Sequence, residues 1–100
     1  MSIEVKKSSD GKELTIYLDE QFDFAHHKDF REAYRNEPAN LRYRVNMARA
    51  RYLDSSALGM LLLLKKHAGG EAADIILEDV PGEIREVLEV ANFHKIFTLR

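Results

Sequence analysis

Cysteine is absent from these 100 residues. That excludes a disulfide framework, a thiolate nucleophile and a cysteine zinc site, and it suits a reducing compartment. No long apolar run occurs either. The longest, Ala57 to Leu64, falls far short of the roughly 20 residues that cross a bilayer, and Met1 to Lys7 lacks the apolar stretch of a signal peptide. The expected location is the cytoplasm, with no membrane contact. Excess charge of one sign is also missing: the net charge of −2 supplies no general attraction to nucleic acid. His26, His27, His67 and His94 have no H-E-x-x-H spacing or cysteine companions, so no metal is expected. Neither a G-x-x-x-x-G-K-[ST] loop nor a G-x-S-x-G elbow is present, which leaves nucleotide hydrolysis and serine hydrolysis without motif support. Repeats, low-complexity tracts and internal linkers are lacking as well.

What is present describes an ordinary globular chain. Apolar residues make up 45% and charged residues 32%, and the length predicts one domain, residues 1–100, with its own core. The chain is organised around Tyr52-Leu53-Asp54-Ser55-Ser56-Ala57-Leu58-Gly59. Here a strand ends, two hydroxyls stand at a turn and the most apolar helix begins. Asp54, Ser55 and Ser56 all favour a helix N-terminus, where a short side-chain oxygen accepts a free first-turn N–H. The helix that follows has almost no polar face, so it is either buried on most sides or partly held for a partner, with Met60 and Leu64 the positions expected to reach one.

Period-2 alternation over Ile3 to Lys7 and over Glu13 to Leu18, around Ser8-Ser9-Asp10-Gly11, predicts an opening antiparallel hairpin. Asp23 is a candidate N-cap for a helix from Ala25 to about Arg35 with His27, Phe30 and Tyr34 on one side. Tyr43, Val45 and Met47 alternate as a strand. A second helix is expected from about Ser56 to His67, closed by Gly69-Gly70. Ile75-Ile76-Leu77 reads as a buried strand. Pro81 suits the first turn of a third helix with Ile84, Val87, Leu88 and Ala91 at i, i+3, i+4, i+7. A last short strand is expected over Ile96 to Leu99. The order β-β-α-β-α-β-α-β predicts an α/β fold: a mixed sheet of four or five strands, parallel except for the opening hairpin, and about three helices. Arg42, Arg44, Arg49 and Arg51 crowd the middle, either as a patch for an anionic partner or as a solvated strand edge.

This element order, with Asp23 before the first helix and Asp54-Ser55-Ser56-Ala57-Leu58-Gly59 opening the second, resembles the STAS-domain anti-sigma factor antagonists. The likeness extends to Val80-Pro81-Gly82 and Phe93-His94-Lys95-Ile96-Phe97. It implies a STAS-like fold and a small regulatory protein, not an enzyme, which needs no cofactor and is monomeric when free. Unphosphorylated, such a protein binds an anti-sigma factor, often itself a GHKL-type serine kinase. Phosphorylation releases that partner, and a PP2C-like phosphatase restores binding. The resemblance maps the phosphoacceptor to Ser55, with Ser56 a close second, and acidic flanking positions to Asp23 and Asp54. Partner or kinase contacts fall on those aspartates, on Ala57, Leu58 and Gly59, and on Arg49 and Arg51. Ala57 stands where the family usually has glycine, and Asn46, Arg49 and Arg51 make this region more polar and basic than is usual.

Other readings of the same residues stand beside this one. Ser55 and Ser56 could be plain helix caps, as could Asp23 and Asp54. The domain could instead scaffold a signalling complex that does not act on a sigma factor. A small serine hydrolase is a third, weaker reading, because a triad needs geometry that spacing does not show.

Overall fold

The computed structural model describes residues 3–100. Strands β1 (Glu4–Lys7) and β2 (Glu13–Tyr17) form the antiparallel hairpin, with Gly11 supplying a left-handed backbone at φ 72° in its turn. A two-residue strand β3 (Gln21–Phe22), a 3-10 turn (Phe24–His26) and helix α1 (His27–Tyr34) follow. Strand β4 (Arg42–Asn46) leads through a loop to a second two-residue strand, β5 (Tyr52–Leu53), and then to helix α2 (Ser55–His67). Strand β6 (Asp74–Glu78), helix α3 (Gly82–Val90), a 3-10 turn (Phe93–Lys95) and strand β7 (Thr98–Leu99) complete the chain.

The main sheet has five strands in the order β1-β2-β4-β6-β7, antiparallel only between β1 and β2. This is the predicted architecture. Alternation puts Leu14 and Ile16, Tyr43 and Val45, and Ile75 and Leu77 on one face, where they join a single core with Phe30, Leu61, Leu64, Ile84 and Leu88 from the helices. On the opposite face Arg44 reaches Glu13 at 2.8 Å and Glu78 at 3.1 Å, and Arg42 reaches Asp74 at 2.9 Å. Arg42 and Arg44 therefore form neither a free basic patch nor a strand edge. Their strand is the third of five, and cross-strand carboxylates on both neighbours occupy them.

Three local readings are refined, and one strand pairing was not anticipated. The first helix opens with a 3-10 turn, whose three-residue period shifts the side-chain phase. His26 in that turn is buried, while His27 keeps to the side of Phe30 and Tyr34, exposed and stacked on Phe24 with ring centroids 4.6 Å apart. Strands β3 and β5 pair in parallel as a separate two-stranded sheet, too short for any alternation to reveal. Pro81 is the N-cap of α3 and keeps extended backbone, ψ 151°, rather than entering the first turn. Val87, placed on the buried stripe of α3, is exposed at 41%, because the core takes only Ile84 and Leu88 from that helix.

Helix α2 is tied at both ends. At its C-terminus His67 donates from Nε2 to the Glu37 carbonyl at 2.7 Å, and Gly69 takes a left-handed φ of 115° to end the helix. Its N-terminus carries the site.

Candidate functional site

Strand β5 delivers the chain to Asp54, whose extended backbone makes it the N-cap of α2. Its Oδ1 accepts the Ala57 N–H at 2.9 Å, a first-turn donor with no carbonyl four residues back in the helix. Its Oδ2 accepts the Phe24 N–H at 3.2 Å. One carboxylate thus caps α2 and holds the start of the α1 segment against it. The pairing of β3 with β5 makes this reach possible, since Phe22 stands opposite Leu53.

Asp23 caps the other segment. Its Oδ1 accepts from the Ala25 N–H at 3.1 Å and lies 2.8 Å from His26 Nδ1. The buried imidazole orients that carboxylate, a role the sequence did not reveal because His26 and His27 are indistinguishable until the 3-10 turn is known. Phe24, the residue after Asp23, gives its N–H to Asp54, which puts the two caps at neighbouring helix starts. Both act as caps.

Ser55 and Ser56 occupy the first two positions of α2, and neither caps it. Asp54 already does so, and neither hydroxyl makes a hydrogen bond among the described residues. Ser55 is exposed, while Ser56 is half-buried and turns toward α1. Their N–H groups have no carbonyl four residues back within the helix. Ala57 is fully buried, so its side chain points into the core and cannot be the surface contact assigned to it; Leu58 is partly buried against the same core. Gly59 is exposed, has helical backbone, and would meet nothing within 4 Å if it carried a Cβ. A mid-helix glycine costs about 1 kcal/mol relative to alanine, and no packing among the described residues requires it.

Met60 and Leu64, expected to reach a partner, are buried instead. The leucines left in water are Leu62 at 44% and Leu63 at 58% exposure. The run has no polar face by which sequence could phase it, and packing turns Ala57, Met60, Leu61 and Leu64 inward.

Between α1 and α2 runs a groove. Its first section, about 480 Å³, starts at Ser56 and Phe24 and is lined by Gly59, Met60 and Leu63 over buried Phe30. Past Arg31, Tyr34 and Leu63 it continues into a second section of about 540 Å³ bordered by Arg35, Lys66 and His67. Burial pushes the Tyr34 phenol above its ordinary pKa. Arg49 and Arg51 stand in the β4–β5 loop, exposed. Arg49 lies 3.9 Å from Glu4, and the Arg51 N–H donates to the Glu20 carbonyl at 2.7 Å.

A family model described as "Mlab, STAS domain" matches residues 5–99. The chain belongs to the STAS domain family. It is 49% identical over 100 residues, 99% of both chains, to a STAS-domain containing protein of Pseudomonas aeruginosa strain UCBPP-PA14. Among solved structures it resembles the anti-sigma factor antagonist SpoIIAA in its unphosphorylated form, with a TM-score of 0.81 and 16% identity over 99% of this chain and 88% of that one. The phosphorylated form of the Bacillus cell fate determinant SpoIIAA gives 0.74 and 16%, over 99% and 91%. A putative anti-sigma factor antagonist from Thermotoga maritima gives 0.75 and 16%, over 97% and 84%.

STAS domains of this SpoIIAA-like fold are regulatory rather than enzymatic. In this STAS domain His27 and His67 spend a ring nitrogen on the carbonyls of Phe24 and Glu37, and neither bonds to a serine. No cluster of metal-ligating side chains occurs among the described residues, and none of their helices is long and apolar enough to cross a membrane.

Proposed function

We propose that this STAS domain, the whole of residues 1–100, is an anti-sigma factor antagonist switched by phosphorylation of Ser55. Unphosphorylated and monomeric in the cytoplasm, it captures an anti-sigma factor, releasing a sigma factor. A GHKL-type kinase, which can be that same partner, adds the phosphate, and a PP2C-like phosphatase removes it. The observation that carries the reading is that Ser55 is exposed at the first position of α2 while Asp54 performs the capping. The hydroxyl has no structural task, so the plain-cap explanation loses its basis. The fold is also one in which SpoIIAA is known in unphosphorylated and phosphorylated forms.

The chemistry suits a switch of interface rather than of shape. A phosphate adds roughly −1.5 to −2 charges and three acceptor oxygens. At the first turn of α2 it meets unpaired N–H groups and the positive end of the helix dipole, so the fold accepts it. A partner seated over the same turn must desolvate that charge beside Asp54 and Asp23, and an unpaired charge in a dry contact costs several kcal/mol.

Co-purification from the native cytoplasm tests the reading. An anti-sigma factor or GHKL-type kinase is expected with the wild type and Ser55→Ala, and is expected to be lost with Ser55→Glu. Recovery of a sensory assembly instead, unaffected by Ser55→Glu, would favour a scaffold of a signalling complex.

A further inference from the structure

We propose that the groove between α1 and α2 receives an acidic amphipathic helix of the partner protein, laid alongside α2. The inference deepens the partner-capture reading and rests on it. Ser56, Gly59, Met60, Leu63, Lys66 and His67 line the groove. Their spacing of i, i+3, i+4, i+7, i+10 and i+11 is one continuous stripe of a helix, roughly 16 Å long at about 1.5 Å per residue. That length suits three turns of a second helix.

Charge selects the sign of the occupant. Arg31, Arg35 and Lys66 border the groove and no carboxylate lines either section. Arg31 and Lys66 enter no ion pair among the described residues, and Arg35 shares only an exposed contact with Glu32 at 3.2 Å. The floor is apolar, with Met60 and Phe30 beneath and exposed Leu63 and Phe24 as walls. An occupant with carboxylates flanking an apolar stripe satisfies both. A helix laid in such a groove buries one face and leaves the other to solvent or to the rest of its own protein.

Gly59 supplies an independent indication. Neither a positive φ nor a close neighbour within 4 Å requires glycine there. Its missing side chain matters only to something approaching from outside, and it lies on the groove wall one turn from Ser55. A phosphate on Ser55 would place a dianion at the mouth of this groove, where it repels an acidic segment. That links the modification to the release of this occupant.

The test places the photoreactive residue benzoylphenylalanine at position 63 of the full chain in its native cells, and sequences the peptide attached on irradiation. An acidic segment with apolar residues at i, i+3, i+4 and i+7 is the expected adduct. A basic or aperiodic segment, a lipid adduct, or no adduct overturns the proposal. Gly59→Ala, which fills the wall without touching the core, is expected to weaken the complex at least about tenfold while the melting temperature rises; unchanged affinity overturns the proposal too. A complex that survives Ser55→Glu would sink the phosphorylation reading and leave the groove result standing, so the two failures are distinguishable.

Discussion

The Asp54 carboxylate accepts the Phe24 N–H at 3.2 Å while its other oxygen caps α2 at Ala57. Residues thirty apart in the chain are thereby fixed to each other, at the end of the groove that Phe24 and Ser56 line. Asp54→Ala removes both interactions. Loss of the cap and of a hydrogen bond to a charged acceptor should destabilise the fold by about 2 kcal/mol in urea titration. Amide exchange at Phe24 should accelerate more than at core positions such as Val45. Equal acceleration at both would mean that Asp54 acts only globally.

Phosphate placement follows from exposure at the same turn. Mass mapping of kinase-treated protein should locate the phosphate on Ser55, which faces solvent, rather than on Ser56, which turns toward α1. The Ser55→Glu variant should melt within about 0.5 kcal/mol of the wild type, because a helix N-terminus accepts an anion. A phosphate found on Ser56 would reassign the acceptor and place the charge inside the groove itself.

Arg49 and Arg51 bear on association rates. The Arg49–Glu4 contact at 3.9 Å joins two exposed side chains and holds little energy. These cations stay available to steer an acidic partner toward the turn. Reversing both to glutamate should lower the on-rate and flatten its salt dependence, with little change in the off-rate. Stopped-flow association at two ionic strengths reads this directly; identical salt slopes in the two proteins would remove these arginines from partner choice.

Tyr43 predicts the alkaline limit of stability. Its ring is buried, its hydroxyl donates to the Pro38 carbonyl at 2.6 Å, and burial pushes its pKa from 10.0 up to about 12. The fold therefore holds the phenol protonated where the unfolded chain would ionise. This contribution is complete below pH 10.0 and is lost as pH rises toward about 12. Thermal midpoints should be level with respect to this group below that window and fall within it. Tyr43→Phe should lower stability at neutral pH through the unpaired carbonyl and reduce the alkaline slope, with Tyr34, also raised by burial, accounting for part of what remains.

Periodicity and punctuation carried much of the architecture. Leu14, Ile16, Tyr43 and Val45 alternate, Ser8-Ser9-Asp10-Gly11 marks a turn, and Gly69 ends α2; each is a local preference of the backbone, legible without knowing the neighbours. The Asp54-Ser55-Ser56 turn was legible for the same reason, since capping residues act over a few positions. That Asp54 and neither serine caps α2 is seen only in the structure, where its second oxygen also takes the Phe24 N–H. The inward face of Ala57–Leu64 was set by packing, because a helix apolar all round carries no phase of its own. Burial of His26, pairing of Arg42 and Arg44 across the sheet, and the groove lined by Gly59 and Leu63 arise from contacts between elements. Local sequence determines which elements form; the packing of α1 against α2 decides which of their residues remain for a partner.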